Sequence, residues 1–581
     1  MSPSKRHTQP SRLEGRKGDA TEGTPFLELA EALEKVRLAS GKNEKVSILA
    51  GLLSRLKSED EVEYAARFAA GRSTRKGSAE ETNVGYAALI DVLRELTGVT
   101  QEEMSKSYLK HGDLSETVAE FIGRRREATL FQGAEGGLSI LDVASTFERI
   151  TSAQGRGSTG LKKELVKSLL LRGEGKLEAK YIVKILSKEM RIGLVEGLVE
   201  EAVAETFGKE VGREKVKEAY LMLGDIGLLA REAKGGRLAE VRIEPMRPTN
   251  FMLAEPMASP EEISTYFEGR ELYAEYKYDG VRAQVHKLGT EVRVFSRRLE
   301  ELTASFPEVV EAAAHIKHDF VLDGEVVAFR EGEGPLSFQM IQRRLRKADV
   351  EESKKIAPIR YFGFDVLYSD GRPIHRQPFR ERREALWELI QGTELHRADS
   401  KTVRESGEIE LFFKQSRSLG YEGLVLKDPD SPYTPGRRGK YWVKLKEELD
   451  TLDVVMVAAE FGHGKRAGKI SDYTFAVRDG DGLKVIGKAY SGLTDKEIDD
   501  MMGRIKRIMV GEVGYRMQVR PEIVLEVAFD SIQKSDRHDS GYALRFPRIK
   551  RIRDDKKVSD IDTLERVREV YEGQKVKAEA A

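Results

Sequence analysis

The chain has 581 residues, enough for three or four domains that each bury a core of their own. It contains no apolar run near the ~20 residues that a membrane-spanning helix needs, which excludes an integral helical membrane protein. The formal net charge is zero, so a polyanionic partner would have to bind local basic clusters. Cysteine is absent, which excludes disulfides, cysteine-ligated zinc and thiol nucleophiles.

The first 24 residues are predicted to be a flexible tail, because they carry charge but no apolar core and so do not form a signal peptide. Asparagine occurs only at Asn43, Asn83 and Asn250, whereas Glu, Lys and Arg are abundant. Few thermolabile residues and many ion-pair formers favour a thermophilic source. Together these features predict a cytoplasmic protein of prokaryotic, archaeal type.

Residues 25–242 are predicted to form an all-α domain of binding or scaffold type. FLELAEALEKVRL and EKVSILAGLLSRL repeat apolar residues at i, i+3, i+4 and i+7, the pattern of helices packed on other helices. Further helical patterns run through LKKELVKSLLL and through EAKYIVKILSKEMRIGLVEGLVEEAVAE. Glycines at 133–137 and 155–160 are predicted to separate helical blocks.

Residues 243–447 are predicted to form an α+β domain. The segment IEPMRPTNFMLAEPM has no clean period and is interpreted as a linker or the start of a domain. The helical pattern REALWELI lies among short β-like runs separated by turn signals. These runs are ELYAEYK, VRAQVHK, EVRVFSR, FVLDGEVVAF, IRYFGFDVLY, EGLVLK and YWVKLK.

Residues 448–557 return to short strands, in LDVVMVAAEFG, YTFAVRD, LKVIGKAY and EIVLEVAFDSI, with one helical insert, DKEIDDMMGRIKRIM. Short strands with glycine turns and one helix predict a small β-barrel of the oligonucleotide-binding (OB) fold. In residues 558–581, the pattern IDTLERVREVYEGQKVK predicts a final helix that completes the fold.

The motif that points to chemistry is Lys277-Tyr278-Asp279-Gly280, where a predicted strand ends at the lysine and Asp-Gly predicts a tight turn into the next strand. K-x-D-G alone is a weak signal, since a hairpin with a surface lysine would also carry it. Further segments follow in order at predicted strand ends. They are SRR at 296–298, DGE at 323–325, FD at 364–365, EGLVLK at 422–427, KLK at 444–446 and RDDK at 553–556.

Taken together, these segments resemble the ordered motifs of covalent nucleotidyltransferases, the superfamily of DNA ligases, RNA ligases and mRNA capping enzymes. The helical N-terminal module and PEIVLEVAFDSIQKSDRHDSGYALRFPRIKRIRDDK resemble the ATP-dependent DNA ligases of archaea and eukaryotes. The resemblance covers roughly residues 26–557 and is looser in the helical domain. It implies nick sealing in DNA replication, repair and recombination, through a lysyl-AMP, a DNA–adenylate, and attack by the 3′-hydroxyl that releases AMP.

The resemblance makes Lys277 the nucleophile toward the α-phosphate of ATP. A free lysine has a pKa near 10.4, so presenting a neutral amine at pH 7 costs about 4–5 kcal/mol, and burial beside other cations favours the neutral form. Lys444, Lys446, Arg282 and a magnesium ion are the expected cations, and they also take up charge that develops on the phosphates. Asp279 is expected to orient the lysine.

Further residues are expected to bind the nucleotide. The resemblance implies Glu275 for the adenine amino group, Phe364 for stacking on adenine, and Glu325 for the ribose hydroxyls. Phe362 is an alternative to Phe364, and a phenylalanine in a strand is ordinarily part of a core.

The resemblance also assigns the phosphates and the metal. Arg297 would hold the 5′-phosphate of the nick, and Arg282 would lie near the nucleotide and DNA phosphates. Glu422, with Glu325 as a second ligand, would bind magnesium or manganese, which prefer carboxylate oxygens. The alternative for either glutamate is a simple ion pair with a lysine.

Arg553 and Lys556 lie far along the chain, so a domain movement would have to bring them to the ATP. The resemblance implies that they orient the leaving pyrophosphate, after which the barrel swings away to admit DNA.

Three alternatives compete with an ATP-dependent DNA ligase. A capping-type guanylyltransferase or RNA ligase is disfavoured by the helical domain and by RFPRIKRIRDDK. NAD-dependent DNA ligases resemble chains with a four-cysteine zinc module, which a chain without cysteine cannot build. A decayed, non-catalytic scaffold is disfavoured because Lys277, Glu422, Lys444 and Lys446 are all present.

The expected partner is nicked double-stranded DNA, bound by a monomer and without a membrane. The resemblance adds a sliding clamp, bound through the helical domain. Two segments partly match a clamp-binding motif, RRREATLF at 124–131 and QEEM at 101–104 with Tyr108. Their alternatives are an ordinary loop and an ordinary helix face.

Overall fold

The computed structural model describes residues 23–78, 82–124, 137–155, 157–336, 338–345, 354, 357–446, 451–461, 469–513 and 516–579. The chain divides into two compact units. The first comprises Met1–Arg75, Glu80–Val216 and Asp225–Ala239, and the second comprises Lys76–Ala79, Lys217–Gly224 and Glu240–Ala581. Among the described residues, no helix has the length and apolar character required to cross a bilayer. The predicted tail, residues 1–24, lies almost wholly outside the described residues.

The first unit is helical, as predicted. Several of its helices begin with a capping box, in which a serine or threonine and an acidic residue three positions later satisfy free backbone N–H groups. Its described helices are α1 (Phe26–Leu38), α2 (Lys42–Arg55), α3 (Glu59–Ala69), α4 (Tyr86–Thr97), α5 (Gln101–His111), α6 (Leu114–Phe121), α7 (Ile140–Ser152), α8 (Ser158–Arg172), α9 (Lys176–Leu186), α10 (Glu196–Phe207), α11 (Arg213–Leu223) and α12 (Ile226–Lys234). Residues 217–223 of α11 belong to the second unit.

The helical pattern predicted through residues 178–205 is interrupted in the structure. Helix α9 ends at Leu186 and α10 begins at Glu196. Between them Lys188, Arg191 and Gly193 adopt positive φ angles of 59°, 48° and 67°, a backbone conformation that no α-helix contains. The apolar period continues across the break, so periodicity alone did not reveal it.

A five-stranded sheet carries one wall of the candidate site. Its order is β1 (Leu253–Met257), β12 (Arg438–Lys446), β11 (Gly423–Lys427), β2 (Leu272–Tyr276) and β10 (Ser400–Val403). Strand β1 lies in the segment interpreted as a linker or the start of a domain, and it pairs parallel to β12, which favours the start of a domain. Helices α13 (Pro260–Tyr266) and α17 (Ser406–Ser418) share a core with this sheet, to which they contribute Ile263, Ile409 and Phe412.

A seven-stranded sheet carries the other wall. Its main order is β4 (Glu291–Ser296), β3 (Val281–Leu288), β5 (Phe320–Arg330), β7 (Ile359–Ser369) and β8 (Arg372–Pro373). Strand β6 (Gly334–Pro335) pairs with β5, and β9 (His396–Arg397) pairs with β7. The accompanying helices are α14 (Pro307–Ala314), α15 (Phe338–Leu345) and α16 (Phe379–Ile390).

The turn predicted after Lys277 does not form a hairpin. Strands β2 and β3 flank it but belong to different sheets, the five-stranded and the seven-stranded sheet respectively. Residues 277–280 therefore carry the chain from one sheet to the other. Gly280 is required there, because a Cβ at this position would lie 2.2 Å from the Val326 carbonyl oxygen.

The C-terminal region is rich in strands, as predicted. The long strand β13 (Thr451–Phe461) pairs with β14 (Ile470–Asp479), β17 (Arg516–Val519) and β18 (Val524–Ala528). The remaining strands are β15 (Gly482–Ala489), β16 (Met509–Val513), β19 (Ser531–Lys534), β20 (Tyr542–Arg545) and β21 (Arg548–Ile552). Helices α18 (Asp495–Ile508) and α19 (Leu564–Glu579) contribute Ile498, Met501 and Val567 to the common core.

Candidate active site

Lys277 lies directly after β2, and its side chain is 21% exposed. Its amine forms an ion pair with the Glu422 carboxylate, and the same Glu422 oxygen lies 2.8 Å from the Lys446 amine. The backbone fixes this pairing, since the Lys277 N–H donates to the Gly423 carbonyl at 2.8 Å and the Glu422 N–H donates to the Lys277 carbonyl at 2.9 Å. The predicted nucleophile is therefore enclosed by the protein and flanked by the predicted charges.

A cavity of about 250 Å³ opens beside the Lys277 amine and is lined by strands of both sheets. Seven basic and two acidic side chains line it, an excess of positive charge that suits a polyphosphate. Eight of the predicted nucleotide-binding and catalytic residues contribute to this lining. They are Glu275, Lys277, Arg282, Arg297, Glu325, Phe364, Lys444 and Lys446.

Two of these residues do not lie at strand ends, contrary to the sequence interpretation. Glu325 is in the middle of β5 and Phe364 is in the middle of β7. The β5–β7 register shifts between Asp323 and Gly324, and such an irregularity redirects side chains within a long strand. Positions in mid-strand can therefore face the cavity, which strand-boundary patterns do not predict.

The structure distinguishes the two candidate aromatic residues. Phe364 lines the cavity. Phe362 is 5% exposed and stacks on Tyr278 with ring centroids 4.3 Å apart, so it belongs to the core. Tyr276 also packs in that core, stacked on Phe412 and Tyr421, because successive side chains of a strand point to opposite faces and Glu275 takes the other one.

Arg282 is held by a buried acceptor. Its guanidinium donates to both Asp323 oxygens, at 3.1 and 2.7 Å, and the Tyr433 hydroxyl donates to the same carboxylate at 2.7 Å. Its charge also lies over the rings of Phe251 and Phe364, at 4.9 and 5.2 Å from their centroids. Arg282 is therefore a fixed cation in the cavity wall, which a flexible lysine would not be.

The carboxylates around Lys277 do not share one protonation behaviour. Burial raises the pKa of Glu325 to about 8, and Glu422 and Asp279 add to that rise against the opposing effect of Lys277 and Arg282. Burial and Glu422 also raise the pKa of Asp279. Burial acts in the same sense on Glu422, but Lys277 and Lys446 hold its pKa below the ordinary value. Glu422 is thus the carboxylate that stays ionised.

These carboxylates fit a divalent ion that arrives with a nucleotide. The described residues contain no group of three or more His, Asp or Glu arranged to hold a metal alone. Magnesium, however, usually takes only one or two carboxylates and completes its coordination with substrate phosphates and water. Glu422 and Glu325 offer that number of hard oxygen ligands beside the cavity.

Three cations of the cavity wall are left to bind an anion. Within the described part of the chain, Lys444, Arg297 and Arg438 have no carboxylate within 4.0 Å. The pKa of Lys444 is lowered by burial and by the neighbouring cations, with Lys277 and Arg438 foremost. An arriving phosphate would relieve this repulsion.

The structure also adds two residues to the predicted site. Arg438 and Lys427 line the cavity, although neither was given a role in the sequence interpretation. Lys427 is the last residue of the EGLVLK segment at 422–427, so its signal was present without an assigned task, whereas Arg438 precedes the KLK segment at 444–446.

Arg553 and Lys556 are not brought to the cavity. The Arg553 guanidinium donates to Asp453 at 3.0 Å, and the Lys556 amine is paired with the same carboxylate. Arg545 of the C-terminal region does reach the Lys277 loop, where its guanidinium donates to Asp279 at 3.4 Å. A site that uses Arg553 therefore needs a different arrangement of this region.

Of the two clamp-binding candidates, residues 125–131 lie outside the described residues. In the other, Met104 is 4% exposed, and Gln101, Met104 and Tyr108 all line a separate cavity of about 280 Å³. The partly matching motif therefore borders a cavity of the helical unit, with its methionine largely buried.

Comparison with known proteins places the site in a family. The family model described as ATP dependent DNA ligase domain matches residues 251–446, which contain the whole cavity lining. DNA ligase N terminus matches residues 25–204, and ATP dependent DNA ligase C terminal region matches residues 466–556. The chain belongs to the ATP-dependent DNA ligases. The predicted enzyme class is confirmed.

Relatives that match over most of their length support the assignment of this chain to the DNA ligases. A probable DNA ligase of Koribacter versatilis is 40% identical over 572 residues, covering 94% of this chain and 96% of the relative. A DNA ligase of Methanothrix thermoacetophila is 38% identical, covering 94% and 98%. A solved structure named Pmar-Lig_PreS3 matches with a TM-score of 0.52 at 15% identity, covering 90% of this chain and 99% of that one, which supports the fold.

Proposed function

We propose that this ligase stores adenylate on the Lys277 amine, transfers it to the 5′-phosphate of a nick, and joins the strands as AMP leaves. The observation that carries this assignment is the position of Lys277, an enclosed amine paired with Glu422 and beside Lys446, in a cavity with an excess of basic side chains. A phosphoramidate suits temporary storage, because its P–N bond is broken more readily than the phosphoester that a hydroxyl would form.

In the first step the Lys277 nitrogen attacks the α-phosphate, the P–N bond forms, and the bond to pyrophosphate breaks. Glu422 fixes the direction of the amine, while Asp279 supports the loop that carries it. Lys444 and Lys446 lie where negative charge develops, and a fixed charge there stabilises the transition state more than the ground state. Adenine stacks on Phe364 with its amino group toward Glu275, and Glu325 accepts from the ribose hydroxyls.

Glu422 and Glu325 would hold magnesium, or manganese in its place. When bound, such an ion would neutralise charge on the phosphates. The role of the protein is to keep Glu422 ionised for this purpose, which Lys277 and Lys446 do.

In the later steps Arg297, an exposed arginine that lines the cavity, would hold the 5′-phosphate of the nick. Catalysis then consists of positioning and electrostatics, as in other phosphoryl transfers. Duplex DNA carries about one charge per 1.7 Å, so added salt should weaken binding steeply.

Arg553 and Lys556 would orient the leaving pyrophosphate in an arrangement other than the one described, reached by movement of the C-terminal region. The support for two arrangements is that neither residue is among those that line the cavity here, and both are engaged by Asp453 of their own region.

The decisive test compares wild type with Lys277→Ala and with the control Lys401→Ala, an exposed lysine on the neighbouring strand β10. We expect wild type and the control to take label from α-labelled ATP as an acid-labile adduct and to seal a nicked duplex. Lys277→Ala should do neither, a loss of at least about 10⁴-fold, as for other catalytic nucleophiles. Sealing by Lys277→Ala from ATP would refute the assignment.

Action in replication, repair and recombination, a cytoplasmic location and a thermophilic source stay predictions. Binding of a sliding clamp through the helical unit and a monomeric state are further proposals. Light scattering of the purified protein alone checks the monomeric state, which a mass of two chains would contradict. Light scattering after mixing with a clamp ring checks clamp binding, which unchanged masses would contradict.

A further inference from the structure

Lys427 is a buried lysine in the cavity wall to which the mechanism above gives no task. Its side chain is 1% exposed, and its amine lies 2.7 Å from a Glu275 carboxylate oxygen. It also donates to the Phe364 carbonyl at 3.0 Å. Glu275 and Lys427 therefore form a buried ion pair next to Phe364, the aromatic residue expected to stack on the base.

The pair is fixed by the sheet and by aromatic rings. Glu275 is opposite Val425 in the β2–β11 ladder, so Lys427 is its diagonal neighbour on the same face. The Lys427 amine lies 4.6, 4.5 and 4.2 Å from the ring centroids of Phe364, Phe379 and Trp442. Three aromatic faces around one ammonium favour its charged form in a place where burial opposes it.

We propose that Lys427 is a positioning residue for base choice, which holds Glu275 ionised and facing the base, so that the site accepts a purine with a C6 amino group and rejects one with a C6 carbonyl. This inference rests on the proposed nucleotide site. An ionised carboxylate can only accept hydrogen bonds. It therefore pairs with the adenine amino group and repels the guanine carbonyl oxygen.

The other groups that face Glu275 do not replace Lys427. Burial raises the pKa of Glu275, and Lys427 is the foremost group that opposes the rise. The remaining charged or titratable groups that act on Glu275 are Arg383, Arg397, Asp365 and Tyr278. The Arg383 guanidinium is itself engaged by the Ser400 hydroxyl at 2.5 Å and lies over the Tyr273 ring. Without Lys427 the carboxyl would take up a proton, and a protonated carboxyl can donate to a carbonyl.

The experiment measures the rate at which the full-length ligase takes label from α-labelled ATP and from α-labelled GTP. Each nucleotide is used at several concentrations, from pH 6 to pH 9, to give kcat/KM. It compares wild type, Lys427→Met, Lys427→Arg and Glu275→Gln, with the exposed Lys414→Met as the matched control. Wild type and the control should prefer ATP throughout. In Lys427→Met the ATP-to-GTP ratio of kcat/KM should fall about 10- to 100-fold at pH 6, the effect of one charge-assisted hydrogen bond.

The direction of the pH dependence separates base choice from a general structural role. The preference of Lys427→Met for ATP over GTP should return as pH rises and Glu275 ionises. Glu275→Gln should lose this preference at every pH, because an amide both donates and accepts hydrogen bonds. Lys427→Arg keeps the charge and should keep the preference. A structural role alone would weaken ATP and GTP labelling equally and leave their ratio unchanged.

Three outcomes would overturn the inference. One is an ATP-to-GTP ratio of kcat/KM in Lys427→Met that equals the wild-type ratio across the whole pH range. A second is an unchanged ratio in Glu275→Gln, a variant that keeps the test valid should Lys427→Met not fold. The third is a wild-type protein that takes no label from either nucleotide, which would refute the proposed lysyl-AMP site itself and not only the role of Lys427.

Discussion

Glu422 combines two demands that conflict in most buried carboxylates, since it is largely enclosed and yet stays ionised. Two ammonium groups, Lys277 and Lys446, share one of its oxygens and keep its pKa low. Burial raises the pKa of Glu325 to about 8, although Lys277 and Arg282 oppose the rise. Two glutamates beside the same cavity therefore have pKa values shifted in opposite directions, because their neighbours differ.

The substitution Glu422→Gln tests this role of charge. It removes the anion between Lys277 and Lys446 while keeping the side-chain shape, so the two ammonium groups repel each other and the amine loses its direction. We expect formation of the ATP-derived adduct to fall about 100-fold, the scale of losing one positioned charge. The control is Glu410→Gln, an exposed glutamate of α17 paired with Lys414. An adduct formed at the wild-type rate would show that the charge of Glu422 is dispensable.

At the scale of elements, Gly280 is the point where the chain passes from the five-stranded to the seven-stranded sheet. A Cβ there would lie 2.2 Å from the Val326 carbonyl and 2.9 Å from Glu325 Cγ, and a rigid backbone strand cannot give way cheaply. We expect Gly280→Ala to lower the free energy of unfolding by about 1–3 kcal/mol and to reduce adduct formation, because Glu325 and Lys277 are displaced.

The matched control for this prediction is Gly407→Ala in α17, where an added Cβ meets nothing within 4 Å. Alanine favours helix over glycine, so this variant should be unchanged or slightly more stable. Urea unfolding of both variants gives the comparison. Equal stability of the two alanine variants would contradict the close approach at Gly280.

The types of the elements could be predicted from sequence, but some of their pairings could not. Alternation identified β2 and β3 correctly, yet the Asp-Gly turn between them suggested a hairpin, because turn chemistry is local and sheet membership is not. Glu325 and Phe364 were chosen by motif, but the strands that carry them extend well past both residues, which the motifs did not indicate. Lys427 shows the same limit, since only the assembled sheet reveals that its amine meets Glu275.

At the scale of the whole molecule, Arg553 and Lys556 are not among the residues that line the cavity where they are proposed to act. Asp453 of β13 engages Arg553 and Lys556, while Arg545 contacts Asp279 on the Lys277 loop. A carboxylate is a reasonable substitute for the phosphate oxygens that these cations would otherwise bind. Because Asp453 belongs to the C-terminal region and would move with it, Arg553 and Lys556 would have to exchange Asp453 for pyrophosphate as well as change position. The contact of Arg545 with Asp279 would have to break.

A reversible cross-link can hold the described arrangement. The Arg545 guanidinium lies 4.3 Å from the Phe338 ring centroid, and the chain has no cysteine, so Phe338→Cys with Arg545→Cys supplies the only two thiols. A short reducible bis-maleimide joined to both should lower adduct formation from ATP about 100-fold, because Arg553 and Lys556 cannot reach the pyrophosphate. Reductant should restore the rate of the same protein, and each single-cysteine variant treated with the reagent should stay active. Full adduct formation by the cross-linked protein would mean that the first step needs no movement of the C-terminal region, and that Arg553 and Lys556 act elsewhere.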